Sequence, residues 1–107
     1  MKTRLGVVGA GAWGTVIAGL LAANPALSVT LWARRPELAA ELDARRENTA
    51  YLPGFRLAES LFVTADAGAL AEAEALFVAV PSRALRATLA LMPPAALVSC
   101  AKGLEFG

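Results

Sequence analysis

Three glycines near the amino terminus have the spacing of a turn that binds phosphate groups. Gly9, Gly11 and Gly14 fit the pattern G-x-G-x-x-G, and they separate a short apolar segment from a longer alanine- and leucine-rich one. Between a strand and a helix, the first glycine allows a tight turn, the second lets a pyrophosphate approach the backbone, and the third lets helix and strand pack closely. Free N–H groups at the start of the helix attract the phosphates. The pattern therefore predicts a dinucleotide site.

Two adjacent arginines indicate which dinucleotide this site prefers. Arg34 and Arg35 lie about 20 residues after Gly14, where an NAD-specific site has an Asp or Glu on the ribose 2′-hydroxyl. A carboxylate would repel a 2′-phosphate, whereas guanidinium groups bind it through charge-assisted hydrogen bonds. The pair therefore favours NADP(H), with NAD(H) as the second candidate. The alternative is that one or both arginines only face solvent.

The composition excludes several other classes of protein. The 107 residues contain no histidine and one cysteine, Cys100, which we expect to be an inert strand residue. Histidine-based hydrolases and most zinc sites are therefore excluded, and we predict no metal site. The net charge is +1 and the basic residues are dispersed, which argues against nucleic-acid binding.

Membrane insertion is excluded by the distribution of the apolar residues. They make up 57% of the chain, but no apolar stretch reaches the roughly 18 to 20 residues that a spanning helix needs. The glycines after residue 8 would break the apolar helix of a signal peptide. We therefore expect a cytoplasmic location.

The elements that must position these residues alternate regularly along the chain. Apolar runs predict five strands, over Leu5–Val8, Ser28–Ala33, Leu61–Ala65, Ala75–Val80 and Ala96–Cys100. Between them we predict helices over Ala12–Ala23, Pro36–Arg46, Ala67–Ala73 and Ser82–Leu91, with Asp66 and Ser82 as N-caps, and an ordered loop over Asn48–Gly54. This alternation predicts one α/β domain with a doubly wound parallel sheet, strand order 3-2-1-4-5 and helices on both faces.

Five motifs also occur in an order and with a spacing typical of one enzyme family. They are Gly9-Ala10-Gly11-Ala12-Trp13-Gly14-Thr15, Leu31-Trp32-Ala33-Arg34-Arg35, Asn48 with Tyr51-Leu52-Pro53-Gly54, Val80-Pro81-Ser82 and Lys102-Gly103-Leu104-Glu105. Together they resemble the bacterial NAD(P)-dependent glycerol-3-phosphate dehydrogenases. The resemblance implies reversible hydride transfer between NAD(P)H and dihydroxyacetone phosphate, which gives sn-glycerol 3-phosphate for phospholipid synthesis.

The resemblance also implies roles for individual residues. Ala12 and Trp13 would contact the cofactor at the glycine turn, and Tyr51 would line the cofactor groove. Pro81 would belong to the loop under the nicotinamide ribose, and Lys102 would touch both cofactor and substrate. Each has a simpler alternative: Trp13 could be a packing anchor, Tyr51 could only fix its own loop, and Lys102 could be a solvated loop residue.

A second domain is part of what the resemblance implies. In the family, a helical domain after the sheet supplies the catalytic lysine, so we expect residues 1–107 to form the NAD(P)-binding domain and to contain no catalytic residue. This chain would then bind cofactor without catalysis, and the whole enzyme could be a homodimer. Two alternatives remain open: a stand-alone module that senses NADP(H), and a domain that binds FAD or S-adenosylmethionine.

Overall fold

A five-stranded parallel sheet forms the centre of the computed structural model, which describes residues 2–93 and the backbone of residues 97–100. In chain order, the elements are β1 (Thr3–Val8), α1 (Ala12–Ala22), β2 (Leu27–Trp32), α2 (Pro36–Arg45), β3 (Glu47–Asn48), β4 (Leu52–Arg56), β5 (Phe62–Thr64), a 3-10 helix (Ala67–Leu70), β6 (Ala75–Val78), α3 (Ser82–Leu89) and β7 (Leu97–Cys100). The sheet order β5-β2-β1-β6-β7 is the predicted doubly wound order, which is thereby confirmed.

Helical segments cover both faces of this sheet, as its apolar strands require. Successive side chains of a strand point to opposite faces. On β2, Val29 and Leu31 pack in a cluster with residues of α1 and α2, whereas Trp32 packs with Leu70 of the 3-10 helix and Leu85 of α3. The central strands are therefore buried on both sides, which explains their nearly continuous apolar sequence.

The connection between β5 and β6 is shorter than the predicted helix over Ala67–Ala73. Asp66 does cap it, accepting a hydrogen bond from the Gly68 N–H at 2.9 Å, but only one 3-10 turn, Ala67–Leu70, forms. Leu70 lies directly over the sheet, because a Cβ on Gly6 would come within 2.7 Å of its side chain. The connection thus contains a single 3-10 turn that packs on β1, and not the predicted helix.

Two further predictions were wrong. The segment Asn48–Gly54 is not a loop throughout, because β3 and β4 pair as an antiparallel hairpin, whose Glu47 side chain accepts a hydrogen bond from the Gly54 N–H at 3.0 Å. Ser82 is not the N-cap of α3; Pro81 is, and no side chain caps this helix. Ser82 is already the first helical residue, one position too late for its hydroxyl to act as an N-cap.

Arg46 joins the end of α2 to the segment that follows the hairpin. It adopts a left-handed conformation with φ 56°, and its guanidinium donates hydrogen bonds to the carbonyl oxygens of Ala58 and Leu61 at 2.5 and 2.7 Å. The same group pairs with Asp43 at 3.1 Å. Among the described residues, its neighbour Arg45 forms a single exposed ion pair, with Glu41.

We therefore expect Arg46→Ala to destabilise the fold far more than Arg45→Ala does. Loss of hydrogen bonds from a charged group to partly buried carbonyls costs about 2–3 kcal/mol of unfolding free energy, whereas an exposed ion pair contributes less than about 0.5 kcal/mol. Urea unfolding followed by circular dichroism measures both values. Equal losses in the two variants would contradict the bridging role of Arg46.

Candidate functional site

The fold itself requires two of the three glycines in the glycine turn, residues 9–14. Gly9 has φ +112°, and a Cβ there would lie 2.6 Å from the Ala79 carbonyl oxygen. At Gly14 a Cβ would lie 1.8 Å from the Gly9 carbonyl oxygen. Neither position can carry a side chain without moving backbone atoms, so both glycines serve the contact between β1, α1 and the end of β6.

Gly11 differs, because nothing in the described part of the chain requires a glycine there. Its φ is −70°, a value open to any residue, and a Cβ would meet no atom within 4 Å. Gly11 is the N-cap of α1, no side chain caps the helix, and its first turn has no acidic residue. The unblocked N-terminus, with its partial positive charge, leaves room for an anionic group to approach the backbone. This arrangement fits the pyrophosphate of a dinucleotide.

A cleft opens beside the glycine turn at the carboxyl edge of β1 and β2. It has a volume of about 290 Å³ and is lined by Ala10, Gly11, Arg34, Arg35, Leu38 and Tyr51. Both arginines are exposed, so their guanidinium groups are free to meet a ligand phosphate. In open parallel sheets, ligands bind at this edge. We call it the glycine-turn cleft.

The hairpin carries Tyr51 to this cleft, and a buried amide attaches the hairpin to the glycine turn. Asn48 Nδ2 donates hydrogen bonds of 2.8 Å to the Ala10 carbonyl oxygen and to Thr15 Oγ1. Asn48 Oδ1 accepts one from the Tyr51 N–H at 3.2 Å. The Thr15 hydroxyl in turn donates to the Gly11 carbonyl oxygen at 2.8 Å. Asn48 and Thr15 are both fully buried.

Asn48 and Thr15 are functional residues of this site for which the sequence alone predicts no role. Each stands in a motif of the family resemblance. Thr15 shares the helical spacing of the buried residues Ala18 and Ala22, whereas no periodic pattern predicts the burial of Asn48. The sequence signal that could have pointed to their contact is the hydroxyl of Thr15, the fourth residue of α1, directly after the third glycine. Its significance depends on the amide of residue 48, which only the fold brings into contact with it.

The other predicted site residues lie around the cleft or outside the described residues. Ala12 and Trp13 are exposed in the first turn of α1, where Trp13 is 44% accessible, but they do not line the cleft. Pro81 is exposed at the start of α3, and its neighbour Val80 lies against Gly9. Lys102 falls outside the residues that the structure describes.

Neither a membrane-spanning helix nor a cluster of possible metal ligands occurs among residues 2–93 and 97–100, the part of the chain that the structure describes. No helix there is long and apolar enough to cross a bilayer. That part also contains no group of three or more His, Cys, Asp or Glu side chains that could hold a metal ion.

The doubly wound sheet, the glycine turn and the cleft define the class of dinucleotide-binding α/β domains. Residues 4–107 match the family described as the N-terminus of NAD-dependent glycerol-3-phosphate dehydrogenase, and the chain belongs to this family. The resemblance predicted from the motifs is thereby confirmed.

Individual relatives agree with this assignment. The chain is 51% identical over 106 residues to a glycerol-3-phosphate dehydrogenase (NAD(P)+) of Thermus thermophilus, covering 97% of this chain and 33% of that one. It is 48% identical to glycerol-3-phosphate dehydrogenase (NAD(P)+) 1 of Sphingopyxis alaskensis, over 97% of this chain and 32% of that protein. A crystal structure of glycerol-3-phosphate dehydrogenase from Coxiella burnetii superposes with a TM-score of 0.77 at 26% sequence identity. The superposition covers 92% of this chain and 32% of that one. The chain thus spans about a third of the length of these relatives.

The different roles of the glycines predict different outcomes for two matched substitutions. Gly14→Ala places a methyl group 1.8 Å from the Gly9 carbonyl oxygen, so we expect a loss of at least about 3 kcal/mol of unfolding free energy or no folding. In Gly11→Ala, a weaker N-cap and a less flexible unfolded chain offset each other, so stability should change by less than about 1 kcal/mol. Thermal unfolding of both variants tests this, and a severe loss in Gly11→Ala would contradict the open site.

Proposed function

We propose that this chain is the cofactor-binding domain of an enzyme that transfers hydride between NAD(P)H and dihydroxyacetone phosphate, forming sn-glycerol 3-phosphate. Its family and the names of its relatives support the reaction. The structural observation that carries cofactor binding is Gly11, where the backbone is open at an uncapped helix N-terminus. The bound nicotinamide would supply or accept the hydride.

The residues of the cleft suggest how each part of the cofactor would be held. The first N–H groups of α1, from Ala12, Trp13 and Gly14, would receive the pyrophosphate. Arg34 and Arg35 would hold the phosphate on the adenosine ribose. Tyr51, half exposed at 48%, would offer its ring to the adenine side of the ligand.

The nicotinamide end would lie toward the end of β6. Val80 lies against Gly9, and this contact holds the following segment, which includes Pro81, near the glycine turn. That segment would support the nicotinamide ribose. Lys102, which follows β7 after one residue, would lie at the same carboxyl edge of the sheet and present a cation to cofactor and substrate.

Substrate turnover would require more than this domain. The resemblance implies that a helical domain supplies the catalytic lysine, and the relatives are about three times as long as the matched part. We propose that residues 1–107 bind cofactor without catalysis, and that the whole enzyme is cytoplasmic and a homodimer.

Substitution of Arg34 tests the preference for NADP(H). In Arg34→Asp a carboxylate replaces a guanidinium beside the 2′-phosphate, so NADPH affinity should fall about tenfold to a hundredfold, while NADH affinity changes less than about threefold. Arg45→Asp, the same substitution on an exposed arginine at the far end of α2, is the control. Calorimetric titration of both cofactors measures the affinities. Equal losses of NADPH affinity in the two variants would contradict the proposal.

An activity assay tests the proposal that this domain binds cofactor but does not catalyse the reaction. Incubated with NADPH and dihydroxyacetone phosphate, the 107-residue chain should oxidise no cofactor above the background rate, because the resemblance implies that the catalytic lysine belongs to the helical domain. Absorbance at the nicotinamide band follows the reaction. Steady oxidation that scales with the concentration of the chain would show that catalysis resides in this domain.

A further inference from the structure

Asn48 is a polar side chain buried at the junction between the hairpin and the glycine turn. Its exposed fraction is 0%, as is that of Thr15. Burying an amide without hydrogen bonds is costly, yet both N–H groups of Asn48 are used and its oxygen accepts from the Tyr51 N–H. These bonds fix the orientation of the amide, because an exchanged amide would face the Ala10 carbonyl and the Tyr51 N–H with the wrong groups.

The three bonds of this amide connect two separate parts of the cleft. One part is the glycine turn, which Asn48 reaches at the Ala10 carbonyl oxygen and through Thr15. The other is the tip of the hairpin, which it reaches at Tyr51. Ala10 and Tyr51 both line the glycine-turn cleft. The amide therefore sets the distance between the backbone at Ala10 on one side of the cleft and Tyr51 on the other.

The rest of the hairpin is attached by contacts that do not involve Asn48. A Cβ on Gly19 of α1 would lie 2.6 Å from the Phe55 ring, so the ring packs directly on the helix backbone. Leu57 is buried, and its N–H donates to the Arg46 carbonyl oxygen at 2.8 Å. Loss of the Asn48 amide should thus release the tip of the hairpin and leave its base in place.

We propose that Asn48 is a positioning residue for the cofactor: it holds Tyr51 at a fixed distance from the glycine turn, and Thr15 completes the connection. Asn48 itself faces no open part of the cleft and need not touch the ligand. This inference rests on the proposed function, since it assigns Asn48 an effect on NADP(H) affinity that passes through Tyr51.

A double-mutant cycle separates positioning from general structural support. Asn48→Ser is made alone and together with Tyr51→Ala, and NADPH affinity is measured by calorimetry. If Asn48 acts through Tyr51, the serine substitution weakens binding about tenfold in the parent chain but less than about threefold once Tyr51 is alanine. Asn24→Ser, the same substitution at an exposed turn where the side chain accepts a hydrogen bond from the Ala26 N–H, should leave affinity unchanged.

Each result of the cycle has a definite meaning. Equal loss in both Tyr51 backgrounds, or no loss in Asn48→Ser, would overturn the positioning role. Failure of the parent chain to bind NADPH would instead refute the proposed function, and this inference with it. Should Asn48→Ser not fold, the cycle is run with Thr15→Val, which removes the hydroxyl at nearly constant volume. Thr15→Ser should then restore affinity, and its failure to do so would overturn the proposal.

Discussion

Helix α1 begins directly against the end of β1 because position 14 carries no side chain. A Cβ there would lie 1.8 Å from the Gly9 carbonyl oxygen, and Gly9 is in turn pressed against the Ala79 carbonyl. This contact sets the direction of α1 and brings its uncapped N-terminus to the carboxyl edge of the sheet, beside the ends of β2 and β6. The anion-attracting backbone and the cleft both follow from it.

A second constraint closes the cleft on the side of the hairpin. The hairpin pairs only with itself, since β3 and β4 form a separate two-stranded sheet, and such a pair is marginally stable alone. Its position depends on attachments that include the Phe55 ring on Gly19, the Arg46 guanidinium on the segment after β4, and the Asn48 amide at the glycine turn. The buried polar bonds of Asn48 at the site thus complement the apolar packing of Phe55 and the hydrogen bonds of Arg46 farther from it.

The sequence predicts the sheet and the glycine turn well because both depend on local, repeated signals. Apolar runs and glycine spacing are visible in any short window, and alternation of elements decides the strand order. The hairpin escapes such reasoning because β3 has two residues and β4 contains Pro53 and Gly54, a pair typical of turns. The roles of Asn48 and Arg46 depend on partners 33 to 38 and 12 to 15 residues away, which no window contains.

Amide chemical shifts of the isotopically labelled chain during titration with NADPH test the central claim most directly. We expect saturable shifts at Gly11, Ala12, Arg34 and Tyr51, because the ligand would contact the glycine turn, the arginines and the hairpin tip together. A smaller cavity in the described part of the chain lies elsewhere, with Arg4, Ser28 and Glu72 among its lining residues, and these residues should show no shifts. Shifts confined to that cavity, or no saturable shift at the glycine turn, would contradict the assignment of the cofactor site.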